Sequence, residues 1–74
     1  MMKLSETKAD SQGTIVKIGG DPHFLNRIVA IGITEGMHFK TVRNDRKMPL
    51  LVFCHETLIA LNKVDAERIE VSTA

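Results

Sequence analysis

Hydrophobic and polar positions change their period several times along this chain, and each change marks an element. Thr14 to Ile18 is rich in β-branched residues and predicts a strand, with Ile15 on one face and Thr14, Val16 and Ile18 on the other, ended by Gly19-Gly20. Asp21-Pro22 then signals a helix start, because Asp caps free amide groups and Pro at the first helical position gives up no needed donor. From there the period is helical. At about 100° per residue, Phe24, Leu25, Ile28, Val29 and Ile31 share one arc, while His23, Asn26, Arg27 and Ala30 lie opposite; Gly32 stops the helix. The apolar arc spans roughly 160°, against the ~100° a surface helix must bury. Its edge residues, Phe24 or Val29, are therefore expected to stay partly exposed and to offer a docking edge.

After Gly36 the period returns to two. Met37, Phe39 and Thr41 face one way and His38, Lys40 and Val42 the other, which predicts a second strand ending at Arg43. Asn44-Asp45-Arg46-Lys47 reads as a charged loop, Pro49 opens the next element, and Leu50 to Cys54 reads as a buried strand joined through His55-Glu56 to Thr57–Leu61 as a hairpin. Asn62, with Asp65 three positions on, resembles a cap around one helical turn over Lys63 to Arg68, and Ile69-Glu70-Val71 closes the sheet. Residues 5–12 are polar, so that Leu4 alone is expected to be anchored ahead of Gly13 and residues 1–12 to be partly flexible. The resulting order, β-α-β-β-β-β, predicts a mainly β fold: a small SH3-like β-barrel of about five strands with one α-helix inserted after the first strand. An open α+β sandwich of the same elements fits the same pattern.

Length and composition narrow this further. The 74 residues hold one hydrophobic core and leave no room for a second, so residues 1–74 read as a single domain. With 43% hydrophobic and 26% charged residues the chain lies outside the disordered range, and having only Phe24, Phe39 and Phe53 as aromatics it must build its core from aliphatic side chains. Ten Lys and Arg against nine Asp and Glu leave a formal charge of +1, short of the basic excess of a nucleic-acid binder. One cysteine, Cys54, forms no internal disulfide, the N-terminus lacks a signal-type apolar stretch, and the longest apolar run, Leu50 to Cys54, is far too short to span a membrane. The expectation is a cytoplasmic protein without direct membrane insertion.

Candidate chemistry is sparse. Cys54, His55 and Glu56 are the only contiguous set of metal-ligand types, with His38 and His23 elsewhere, but strand neighbours point to opposite faces and no C-x-x-C or H-x-x-x-H spacing occurs. No metal site is therefore assigned; Cys54, His55 and His38 remain the candidates for weak Fe(II) or Zn(II) binding. The same geometry argues against a Cys-His nucleophile and so against catalysis. Gly19-Gly20-Asp21-Pro22 lacks the Gly-Lys-Ser/Thr ending of a phosphate loop, and Asp21 would repel an anion. The strongest positive cluster is Arg43, Arg46 and Lys47, with Lys40 near, suited to an acidic protein surface. No nucleic acid is expected, because Tyr and Trp are absent and all three Phe fall on faces read as buried.

The segment Arg27-Ile28-Val29-Ala30-Ile31-Gly32-Ile33-Thr34-Glu35-Gly36 resembles the helix-to-strand signature of the FeoA family, small cytoplasmic accessory proteins of bacterial ferrous iron transport. Gly32 ends the helix in that pattern and Gly36 turns the chain into the next strand. The resemblance continues through Pro49, Leu58-Ile59-Ala60-Leu61, and Ala66 with Ile69 and Val71, and so covers about Gly13 to Val71. Three departures stand out: Glu35 replaces the usual proline, His55-Glu56-Thr57 occupies a hairpin where the family often has Gly, and the charged loop is shorter than the family's Gly-Asp-Pro run.

The resemblance implies a non-enzymatic protein that binds the cytoplasmic part of a FeoB-like membrane GTPase-permease and needs no cofactor. The residues read as its contact surface are Phe24, Arg27 and Val29 on the helix and Arg43, Arg46, Lys47 and Met48 in the loop, with Gly32 and Gly36 as structural turn residues. A metal-sensing barrel is the alternative and an RNA-binding barrel the more distant one. An unpaired barrel edge leaves self-association into a homo-oligomer open.

Overall fold

A computed structural model of the chain describes residues 1–73. Strands β1 (Met2–Lys3), β2 (Gln12–Ile18), β3 (His38–Arg43), β4 (Leu50–Cys54), β5 (Thr57–Leu61) and β6 (Ile69–Thr73) form one antiparallel sheet in the order β1-β6-β2-β3-β4-β5. Helix α1 (Pro22–Ala30) joins β2 to β3, and the short α2 (Lys63–Ala66) joins β5 to β6. The mainly β architecture with one helix after the first long strand is the predicted one, extended by a sixth strand at the N-terminus. Its core is aliphatic apart from Phe24, Phe39 and Cys54, with Ile15, Ile28, Ile33, Leu50, Val52, Ile69 and Val71 all at 1% exposure or less.

The ends of α1 and of the β4–β5 hairpin have visible causes. The Asp21 carboxylate accepts the Phe24 amide at 2.8 Å, and Pro22 occupies the first turn of α1. At the other end the Gly32 amide bonds the Val29 carbonyl and the Ile33 amide bonds the Ile28 carbonyl, with Gly32 at φ 108°. This is a Schellman motif, and its accompanying apolar contact is supplied by buried Ile28 and Ile33. The β4–β5 hairpin closes on a two-residue turn with His55 at φ 53° and Glu56 at φ 57°. Two positive φ values are what a type I′ turn needs, so the hairpin keeps its geometry without the family's glycine.

Three expectations are corrected. Strict alternation put Ile18 opposite Ile15, but the β2–β6 register slips between Ile15 and Lys17, and this bulge turns both inward. Leu4 is not the only residue anchored before Gly13. Met2 and Lys3 pair with Val71 and Glu70, and Thr7 is 1% exposed, its hydroxyl bonded to the Leu4 carbonyl and lying 2.6 Å from the Thr41 hydroxyl. The Asn44 side chain also donates to the carbonyls of Ser5 and Thr7, and Asp10 and Ser11 exchange backbone bonds with Thr41. Finally, Asn62 makes no side-chain cap bond, and Asp65 turns instead to Arg27.

Strand β2 lies between β6 and β3, and Gly13 pairs with Thr73 on one side and Phe39 on the other. A Cβ at Gly13 would lie 1.9 Å from the Ser72 carbonyl oxygen, so no side chain fits there without moving a strand. Gly13→Ala is expected to lower stability by about 3 kcal/mol, the upper end of overpacking costs; an unchanged thermal midpoint would contradict the close approach. In the opposite direction, His55→Asn with Glu56→Gly should raise stability by about 1 kcal/mol by relieving left-handed strain at the hairpin, measured by urea denaturation.

Candidate partner-binding surface

The wide apolar arc of α1 buries only its centre. Phe24 and Ile28 are 3% and 1% exposed, whereas Leu25, Val29 and Ile31 remain at 39%, 45% and 40%. The expectation of an exposed edge therefore holds for Val29 and is corrected for Phe24. The Phe24 ring lies beneath two guanidinium groups, Arg27 at 5.4 Å and Arg68 at 5.0 Å from its centroid. Both cations stack on its π-face and help close the core over α1. Leu25 and Val29, one turn apart, form a solvent-facing ridge; Leu25, on the same arc of the helical wheel, takes the edge position beside Val29 while Phe24 turns inward.

Arg27 faces away from that ridge, roughly 160° around the helix from Val29. Its guanidinium bonds the Asp65 carboxylate at 3.1 Å and so ties α1 to α2. From α2, Lys63 donates to the Asp45 carbonyl at 2.6 Å, and Arg43 pairs with the Asp45 carboxylate. Arg27, α2 and the β3–β4 loop are thus linked by polar contacts, while Val29 stands on the other flank of α1. The residues proposed from sequence do not converge on a single patch.

Arg46 and Lys47 are exposed and take part in no ion pair among the described residues. With Met48 (47% exposed), Pro49, Asn62 and Lys63 they line a shallow open cleft between the loop and the start of α2. Two of these, Asn62 and Lys63, escaped sequence reasoning because only the fold brings α2 beside the loop. The cleft gathers three cations around an apolar methionine, a surface suited to acidic side chains.

Another apolar surface lies on the outside of the sheet. The Leu50 to Cys54 run looked wholly buried, yet it alternates: Leu50, Val52 and Cys54 point inward, while Phe53 stays 45% exposed. Phe53 pairs with Lys40 on β3 and Leu58 on β5, so the reading of all three phenylalanines as buried is corrected at this one.

The metal-ligand types do not come together. Cys54 is buried, its thiol 3.9 Å from the Gly32 carbonyl; His55 sits in the exposed hairpin turn and His38 on the outer face of β3. No group of three or more His, Cys, Asp and Glu side chains is placed to hold an ion among the described residues. Desolvation pushes the Cys54 thiol above its ordinary value of 9.0, which keeps it protonated and poorly nucleophilic. Among the described residues no helix is long and apolar enough to cross a membrane.

A six-stranded antiparallel sheet wrapped around one aliphatic core, with a helix after its first long strand, defines a small SH3-like barrel. The family model of the FeoA domain matches residues 2–73, and the chain belongs to that family. Solved structures share its fold. A crystal structure of an iron uptake regulatory protein, FeoA, superposes with TM-score 0.93 at 23% identity, covering 99% of this chain and 97% of that one. The FeoA protein of Chlorobium tepidum gives 0.83 at 29% identity over 97% of this chain and 70% of its own. The zinc complex of Stenotrophomonas maltophilia FeoA, described as a prokaryotic SH3 domain protein, gives 0.76 at 23% over 97% and 91%. Among curated proteins, none matches the chain.

The Cys54 environment sets a pH dependence. The folded thiol ionises above the unfolded one, so the unfolded state releases its proton first as pH rises; stability is whole below about 9.0 and falls as pH climbs from there toward the folded value. Denaturation midpoints measured from pH 8 to pH 11 are expected to carry this slope, and Cys54→Ala, less stable overall, should remove that component of it.

Proposed function

We propose that this domain is a non-catalytic accessory factor of bacterial ferrous iron uptake that acts in the cytoplasm by binding the cytoplasmic, GTP-binding part of a FeoB-type permease. The observation that carries the reading is the FeoA family match, which runs from residue 2 to residue 73 and so takes in every element of the fold. The choice of surface is supported by exposure and by which side chains the polar contacts leave free. Arg46 and Lys47, with Met48 and Lys63 beside them, form the charged contact, because their side chains are outside the polar ties that hold α1, α2 and Asp45 together or lie at their exposed end. Val29 and Leu25 form a second, apolar contact on the other flank of α1. Arg27 and Phe24 serve the packing of α1, and Arg43 is neutralised by Asp45. A role as a metal carrier through Cys54, His55 or His38 has no converging ligand set behind it among the described residues.

Calorimetric titration against the isolated GTP-binding domain of such a permease, with and without nucleotide, tests the proposal. Binding is expected in at least one nucleotide state. Arg46→Glu combined with Lys47→Glu should weaken it by about tenfold or more, and the wild type should lose affinity with rising salt more steeply than the variant. Val29→Glu reports separately on the apolar ridge. Absence of heat and of any co-eluting complex in both nucleotide states would overturn the assignment.

A further inference from the structure

The sheet has two edges, and they are built differently. β1 ends the sheet with two residues, one of them Lys3, before the chain enters a 3-10 turn at Leu4–Glu6. β5 ends it with five, Thr57-Leu58-Ile59-Ala60-Leu61, which contain no charge, no proline and no glycine. Short length, a lysine or a bulge is how exposed edges are usually kept from pairing. β5 has none of these; its ladder with β4 runs in regular register through all five residues.

The direction of its free backbone groups follows from the hairpin. A two-residue turn closes on a pair that exchanges both backbone hydrogen bonds, here Cys54 with Thr57, and the alternation of an antiparallel ladder gives the same to Val52 with Ile59 and Leu50 with Leu61. The N–H and C=O groups of Leu58 and Ala60 therefore point away from β4. No other backbone group among the described residues bonds to them. Both residues are exposed, Leu58 at 56%.

We propose that β5 pairs with β5 of a second copy of this chain, antiparallel across a two-fold axis at Ile59, so that Leu58 of each protomer exchanges backbone bonds with Ala60 of the other. The charges flanking the strand select this occupant and this direction. Glu56 precedes β5 and Lys63 follows its end. In the antiparallel register Glu56 of one protomer comes beside Asn62 and Lys63 of its partner, and symmetry makes the contact twice; a parallel register would set Glu56 against Glu56 and Lys63 against Lys63. On the outer face Leu58, beside Phe53, meets Ala60 of the partner, beside which lies the partner's Leu51, and the apolar stripe that begins at Phe53 continues across the axis. A five-residue edge buries less than the roughly 1,200 Å² of a stable complex. The dimer is accordingly weak and reversible, with a dissociation constant on the order of 100 μM.

Sedimentation equilibrium from about 10 μM to about 1 mM brackets that constant, and amide exchange by NMR over the same range locates the contact. The expected result is a monomer–dimer equilibrium in which the Leu58 and Ala60 amides gain protection with concentration. Ala60→Pro removes an outward amide without touching the β4 ladder, and Leu58→Lys places a charge on the edge; each should raise the dissociation constant by at least about tenfold. Glu56→Lys and Lys63→Glu alone should each weaken the dimer, and the double exchange should restore it. These two surface changes keep the test open if an edge variant folds poorly. A chain that stays monomeric throughout overturns the proposal, as does one that dimerises with unprotected Leu58 and Ala60 amides, or one whose edge takes up an unrelated extended peptide while remaining monomeric. Failure of the double exchange to restore what the single changes lose overturns the register.

Discussion

The close approach of β6 to β2 at Gly13 is the constraint on which this barrel depends. β2 is the strand that joins the N-terminal and C-terminal pairings, β1 and β6, to the meander β3-β4-β5. At Gly13 it is bonded on both sides, and the Ser72 carbonyl oxygen occupies the place of a side chain. A twisted sheet of six strands around so few core residues has to coil sharply, and a backbone position without Cβ lets it do so at its centre. The bulge after Ile15 completes the bend. By inserting one residue it brings Ile18 to the same side as Ile15, and β2 contributes two core side chains where strict alternation would have opposed them.

A bulge and a bend disturb the backbone bonding around them, and the turn from Gly32 to Gly36 makes good part of it. The Gly36 amide bonds the Ile15 carbonyl at 2.7 Å, and the Glu35 carboxylate accepts the Ile18 amide at 3.1 Å. Glu35 stands where the family usually has proline, a residue whose side chain has no group to accept such a bond. The turn loses a rigid φ and gains a side-chain tie to β2 on the far side of the bulge. Gly32 keeps its own task, ending α1 in the left-handed conformation that directs Ile33 into the core. The signature that identifies the family therefore works inward, as a brace on β2.

What the sequence made legible is what local chemistry decides. Asp21-Pro22 and Gly32 bound α1, and the β4–β5 hairpin follows from two apolar runs separated by two polar residues. What it concealed depends on distant partners. Thr7 is a polar residue in a polar stretch, and only Thr41, 34 positions away, with Asn44 holding the neighbouring carbonyls, turns it into a buried residue. Arg27 looked free on the polar side of its wheel, and Asp65 claims it. Phe53 looked buried because an unbroken apolar run hides which of its alternate positions have a partner layer above them. The candidate surface was legible to the same extent: Arg46 and Lys47 are marked by composition, whereas Asn62 and Lys63 join them only through the path of the chain after β5.

The distribution of polar contacts separates the residues that hold the fold from those left for a partner. Arg27, Asp65, Lys63, Asp45 and Arg43 form a relay of side-chain and carbonyl contacts from α1 through α2 to the β3–β4 loop. Most of these groups are half exposed, where single ion pairs contribute little to stability. Their effect is one of placement: the loop is tied at Asp45, whose carbonyl also receives the Met48 amide, and the side chains of Arg46 and Lys47 between them are carried outward with no ion pair among the described residues. A loop fixed at one end presents its cations at lower entropic cost to a binding partner than a wholly mobile one. In a chain with a formal charge of +1, such local fixing of two or three cations is what gives an otherwise neutral surface a direction in which to bind.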